Sequence, residues 1–196
     1  MKKLVVLLCA LLALGSSAQA LEVSAPSALL MEKETGTVLF AKDEHAKLEP
    51  ASVTKVMTLL LTMEAIDSGT IGYDDVVTVS AYAAGMGGSQ VYLAEGEQIT
   101  VEELLKAVCV ASGNDAAAAL AEKVAGISDR FVEKMNQRAT ELGMNDTHFA
   151  NCTGHRVSRH IRAVTPAASP VICRLHLRSA SRRLFCLSSI WHLSER

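Results

Sequence analysis

The sequence predicts an α+β domain, and three observations carry that reading. Two short apolar runs flank a glycine-bearing turn near residue 36. Residues 51–143 are dominated by helical periodicity, and that stretch is punctuated by capping residues and glycine stops. Ala28-Leu29-Leu30-Met31 and Thr37-Val38-Leu39-Phe40 read as strands joined by residues 32–36, where Gly36 supplies the positive φ of a hairpin turn. Both runs are apolar, which predicts strands packed on a helix rather than a wet edge. From Ala51 to Asp67 the positions of Val53, Val56, Met57, Leu60, Leu61, Met63 and Ala65 predict a mostly buried helix, ending at Ser68-Gly69. Asp75 to Ser80 alternates weakly as a strand, and Gly85 to Ser89 reads as a loop. Thr100 with Glu103 forms a capping-box pattern ahead of Leu104, Leu105, Ala107 and Val108. An Ala-rich helix follows over Asp115 to Ala125. A last one runs from Ser128, its expected cap, to Leu142, with Gly143 as its stop.

The two ends differ from this body. Lys2-Lys3, an apolar run from Leu4 to Leu14 and Ala18-Gln19-Ala20 have the pattern of a secretory signal peptide over residues 1–20, with cleavage expected after Ala20. The run is too short for the ~20 apolar residues a membrane span needs. Charge is uneven: residues 1–154 carry 11 Lys and Arg against 20 Asp and Glu, a net of −9. Residues 155–196 carry eight Arg, no Lys and one acid, a net of +7. These arginines fall on no consistent face, so a segment evolved for anionic lipid or nucleic acid is the weaker reading, and no nucleic-acid partner is expected. Of five cysteines, Cys9 lies in the leader, and Cys109, Cys152, Cys173 and Cys186 show no C-x-x-C spacing. Cys109, within an apolar helical run, is expected as a buried free thiol. Glu102-Glu103 at a helix start complements the dipole, and His148 has no second ligand at metal spacing. No metal or cofactor is expected.

The chemistry lies in Ser52-Val53-Thr54-Lys55. A hydroxyl and an amine three residues apart share one helix face, about 5–6 Å apart at Cβ. Lys55 can take the Ser52 proton only when neutral, so its pKa must fall below about 10.4. Burial against Val53, Val56 and Met57, or a second cation, would do this. Sixty residues on, Ser112-Gly113-Asn114 falls between two helical stretches. Ser112 can relay a proton to a leaving group. Asn114 can hold the Lys55 amine and donate to a substrate backbone. A plain helix-to-helix turn with capping side chains is the competing account of this second tripeptide.

These stretches, together with Leu104-Leu105-Lys106-Ala107, Met135-Asn136, Leu142-Gly143-Met144, Thr147-His148-Phe149 and Asn151, resemble the serine D-alanyl-D-alanine carboxypeptidases. These are the low-molecular-mass penicillin-binding proteins of peptidase family S11, and the resemblance spans about Ala25 to Gly154. It implies a β-lactamase/transpeptidase-like fold with a helical lobe largely present over 21–154 and an incomplete central sheet. It also implies an acylated nucleophile at Ser52, a proton acceptor at Lys55, and a second motif at Ser112 and Asn114. The expected reaction is removal of the terminal D-alanine from peptidoglycan pentapeptide stems outside the cytoplasm, with β-lactams as covalent inhibitors and no cofactor. Class A β-lactamases share the S-x-x-K logic but usually place Asp where this chain has Gly113.

The third motif of that family, Lys-Thr-Gly, does not occur in the sequence. Glu34-Thr35-Gly36 and Cys152-Thr153-Gly154 are misplaced for it, and the last lysine is Lys134. A change of reading frame near Gly154 is the expectation, making residues 155–196 a tail foreign to the fold, with no C-terminal membrane anchor. Activity is then expected to be absent or impaired. A β-lactamase-like hydrolase and a non-catalytic penicillin- or wall-binding fragment stay open as alternatives.

Overall fold

A computed structural model of the chain describes residues 22–32 and 35–155 and a two-residue strand at 165–166. The expected leader and almost all of the basic tail lie outside these residues. Among the described residues, six short strands form three two-stranded antiparallel sheets around five helices. Strands β1 (Ala28–Met31) and β2 (Val38–Lys42) form the expected hairpin, pairing Ala28 with Lys42 and Leu30 with Phe40, and Gly36 has φ 72°. The expectation that these strands are covered fails. Leu30, Val38 and Leu39 are 50%, 45% and 62% exposed. Val38 and Leu39 are neighbours in one strand and point to opposite faces, so apolar side chains meet water on both, and among the described residues no third strand joins the hairpin.

Strand β3 (Lys47–Leu48) pairs with β6 (Thr165–Pro166), inside a tail whose composition shows no strand pattern. Strand β4 (Val76–Thr78) is shorter than the alternation suggests and pairs with β5 (Gln98–Thr100), which the sequence reading misses. Three residues are too few for a period-2 pattern to register.

The helices follow the sequence more closely. A 3-10 turn over Ala51–Thr54 leads into α1 (Lys55–Asp67), so Ser52 sits in the tighter turn rather than in the α-helix proper. The four-residue α2 (Ala81–Ala84), unforeseen, is capped by Ser80 Oγ accepting from Ala83 N at 3.0 Å. Helix α3 (Val101–Ala111) opens on the predicted capping box. Thr100 Oγ1 accepts from Glu103 N, and Glu103 Oε2 accepts from Thr100 N at 3.1 Å. These Thr100 hydrogen bonds hold the Glu103 carboxyl below its ordinary pKa. Thr100→Ala is expected to cost about 1 kcal/mol, read as a fall of about 2–4 °C in Tm.

Helix α4 (Asn114–Ala125) is the hub, in contact with α1, α2, α3 and the last helix, α5 (Ser128–Glu141). Ala116, Ala117, Ala118, Ala119 and Ala121 are at most 1% exposed. Methyl side chains let surrounding helix backbones approach closely, and Leu104, Phe131 and Met135 fill the space between them. Helix α5 lacks its expected cap. Its N-cap is Ile127 with no side-chain bond, because Ser128 is already helical and its hydroxyl faces Tyr82 Oη at 3.3 Å. Arg138 of α5 grips Glu64 of α1 through two nitrogens at 2.8 and 3.0 Å. No helix among the described residues is long and apolar enough to cross a membrane.

Candidate active site

Ser52 and Lys55 meet as their spacing predicts. Lys55 Nζ donates to Ser52 Oγ at 3.2 Å, and again to the Thr153 carbonyl at 3.0 Å. Ser52 is exposed while Lys55 is 3% exposed, so a solvent-facing hydroxyl stands over a buried amine. Burial lowers the Lys55 pKa to about 8, opposed by a smaller effect of Cys152, whose own thiol is pushed up to about 11 by burial. The depression thus comes from desolvation, one of the two causes anticipated, rather than from a second cation. Pro50 ends the approach to this turn, and Ala51 takes a left-handed conformation with φ 46° immediately before Ser52.

The second motif occupies the turn between α3 and α4. Ser112 is the left-handed C-cap of α3 with φ 54°, and its hydroxyl has no hydrogen-bond partner among the described residues. A non-glycine residue held in this region costs on the order of 1–3 kcal/mol and marks a turn fixed by its surroundings. Asn114 opens α4 and is buried. Its side chain does not hold the Lys55 amine, as the sequence suggests it can. Its Nδ2 donates instead to the Gly87 carbonyl at 2.6 Å, while the two observed Lys55 bonds go to Ser52 and Thr153.

Two backbone segments close around these side chains. The loop from residue 85 to 93 is strapped to the start of α4 by Asn114 N donating to Ser89 O at 2.7 Å. The buried Asp115 carboxylate accepts from Val91 N, Leu93 N and Ala116 N at 2.9–3.2 Å. Residues 151–155 form the opposite wall. Thr58 Oγ1 donates to the Cys152 carbonyl at 2.7 Å, and a Cβ built on Gly154 would lie 1.8 Å from the Ala51 carbonyl oxygen. The two walls meet at Gly88, where an added Cβ would lie 2.7 Å from Asn114 Nδ2 and 3.0 Å from His155 Nδ1. Ser52, Lys55 and Asn114 are thereby held by one contiguous set of contacts.

Sequence reasoning assigns no part in the site to Asp115, Thr58, Asn151 or the Thr153 carbonyl. Asp115 directly follows the second motif, and an acid in the first turn of a buried alanine helix is the one signal that points to it. Cys109 is half-buried, with its pKa pushed up to about 11 by desolvation. His148 is exposed, and among the described residues no cluster of His, Cys, Asp or Glu can hold a metal ion.

Comparison with known proteins agrees with the geometry. The sequence profile described as "D-alanyl-D-alanine carboxypeptidase", Peptidase S11, matches residues 15–179, a span that passes beyond Gly154. The D-alanyl-D-alanine carboxypeptidase DacF of Bacillus subtilis is 50% identical over 140 residues, 71% of this chain and 36% of the relative. The chain therefore spans about a third of the length of such curated relatives. Among solved structures, penicillin binding protein 6B from Escherichia coli superposes with a TM-score of 0.79 at 35% identity, over 89% of this chain and 56% of that one. Penicillin-Binding Protein D2 from Listeria monocytogenes, in its ampicillin-bound form, gives 0.73 at 25% identity, over 87% and 68%. The α+β arrangement is that of the β-lactamase/transpeptidase-like fold, with its helical lobe and only small two-stranded sheets among the described residues. With its family profile matched over most of its length, this chain belongs to the D-alanyl-D-alanine carboxypeptidase family, Peptidase S11.

Proposed function

We propose that Ser52 is the nucleophile of a serine D-alanyl-D-alanine carboxypeptidase and Lys55 its base. The observation that carries this is the 3.2 Å hydrogen bond between a buried amine with a pKa near 8 and an exposed hydroxyl. At pH 7.4 such an amine is neutral in about one molecule in five, against about one in a thousand at its ordinary value. Lys55 takes the proton as Ser52 Oγ attacks the carbonyl carbon of the penultimate D-alanine. The Ser52 backbone N–H lies in the first turn, where helical N–H groups have no intrahelical acceptor, and it is free to donate to the developing oxyanion. The C–N bond then breaks, Ser112 passes the proton to the departing D-alanine amine, and Asn114 contacts the peptide backbone of the substrate. Water hydrolyses the Ser52 ester by the reverse proton path. A β-lactam carbonyl enters the same sequence and stays as a slowly hydrolysed acyl group. Membership of the family supports a peptidoglycan pentapeptide stem as the substrate class and an extracytoplasmic location.

Turnover by a polypeptide of these 196 residues is proposed to be impaired. No Lys-Thr-Gly occurs in the sequence, and among the described residues no cation assists burial in lowering the Lys55 pKa. The pH dependence of labelling by a fluorescent penicillin tests the assignment. The rate is expected to rise with pH and level off above about 8, since the neutral amine is the active form. A rate flat between pH 6 and 9, or no labelling at any pH, would sink it.

A further inference from the structure

The Lys55 amine is closed off by a backbone carbonyl, and one side chain shapes the turn that presents it. Asn151 Oδ1 accepts from Thr153 N at 3.0 Å, Gly154 N at 2.7 Å and Thr153 Oγ1 at 3.2 Å. Its Nδ2 donates to the His155 carbonyl at 3.0 Å, and His155 N donates back to Thr153 Oγ1 at 3.1 Å. A single amide thus satisfies both ends of residues 151–155. An Asn side chain closing on the backbone two and three residues ahead fixes a turn that the backbone alone would not hold. Thr153, at the centre of that turn, is fully buried, and its carbonyl accepts from Lys55 Nζ. Thr58 Oγ1 fastens the preceding carbonyl, that of Cys152, to α1, so the turn is anchored beside Lys55 but shaped from within.

We propose that Asn151 is a positioning residue for acyl transfer: it folds residues 151–155 into the turn that sets the Thr153 carbonyl on the Lys55 amine and shuts water out. The proposal rests on the reading of Lys55 as base. Asn151 touches neither the nucleophile nor the amine, so its effect passes through Thr153. Without the turn, Lys55 loses its cover and regains hydration, and the cause of its depressed pKa is removed. The titratable group acting on Lys55 is Cys152, and Glu122 acts in turn on Cys152. With the thiol pushed up to about 11, Cys152 remains protonated through most of the range in which Lys55 titrates.

The test follows the Lys55 side-chain 13Cε resonance against pH in the full chain, assigned by comparison with Lys55→Met. The parent midpoint is expected near 8. Asn151→Ala is expected to raise it by about one unit or more, which lowers the neutral share at pH 7.4 about tenfold. Asn151→Ser, whose hydroxyl oxygen can close a similar turn, is expected to restore most of the shift. If Asn151→Ala does not fold, Asn151→Gln decides the point, since its amide is displaced by one methylene and is expected to raise the midpoint as Ala would. An unchanged midpoint in the folded variant, however large its loss in Tm, overturns the proposal, because a merely structural residue lowers Tm alone. The titration needs no penicillin, so a failure of Ser52 acylation leaves this outcome readable on its own.

Discussion

Ser52→Ala is expected to abolish covalent labelling by a fluorescent penicillin and to leave Tm within about 2 °C of the parent. Removing a serine nucleophile costs on the order of 10⁶ in the acyl-transfer step, because its base then has no hydroxyl to activate. The stability effect is small for a separate reason. Ser52 is exposed, and its side chain makes one described hydrogen bond, to Lys55, which keeps the Thr153 carbonyl as its other acceptor. Exposed substitutions of this kind stay within about 0.5 kcal/mol. Intact-mass spectrometry after incubation gives the readout. An adduct of undiminished yield on the alanine variant would mean that another nucleophile carries the acyl group.

Gly154→Ala is expected to lose labelling as well, but with a large loss of stability, caused by an added methyl group rather than by removal of a side-chain contact. Gly154 has φ 73°, and an added Cβ would lie 1.8 Å from the Ala51 carbonyl oxygen and 2.7 Å from Thr54 Oγ1. The obstacle is backbone, and a carbonyl cannot rotate aside as a side-chain end can. Either residues 151–155 or the 3-10 turn carrying Ser52 must move, and moving either breaks the Lys55 to Thr153 contact. A loss of more than about 3 kcal/mol is expected, or about 6–12 °C in Tm, together with loss of penicillin labelling. Gly143→Ala is the matched control. It has φ 74°, but nothing lies within 4 Å of its added Cβ, so only the left-handed backbone cost of about 1–2 kcal/mol applies. Equal falls in Tm for the two variants would show that close packing of Gly154 against Ala51 is not what requires glycine.

What could be read from the sequence was local. The hairpin around Gly36, the Thr100–Glu103 capping box, and the pairing of Ser52 with Lys55 each involve residues a few positions apart, where helix and turn geometry fix the distance. The acceptor that shares the Lys55 amine with Ser52 lies 98 residues away, and it is a backbone atom that no residue type advertises. The same holds for the Cys152 carbonyl under Thr58, 94 residues on. Asn114 shows the limit from the other side. Its residue type suited a contact with Lys55, but a nearer claimant, the Gly87 carbonyl, lies in a loop that sequence reads only as flexible. Strand β5 and helix α2 were missed because three or four residues carry too little periodicity.

The alanines of α4 also bear on how far this scaffold can vary. A buried alanine has no rotamer to change and no smaller side chain to become except glycine, so every substitution there either adds volume or loosens the helix. Adding methylenes to a filled interior costs typically about 1–3 kcal/mol, and glycine within a helix costs about 1 kcal/mol. Mutational drift is therefore closed off along the five alanines between Ala116 and Ala121, while the outer helices can trade Leu, Met and Val among themselves. In a library of random variants, α4 should emerge as the least permissive segment of the chain, although five of those six side chains are single methyl groups.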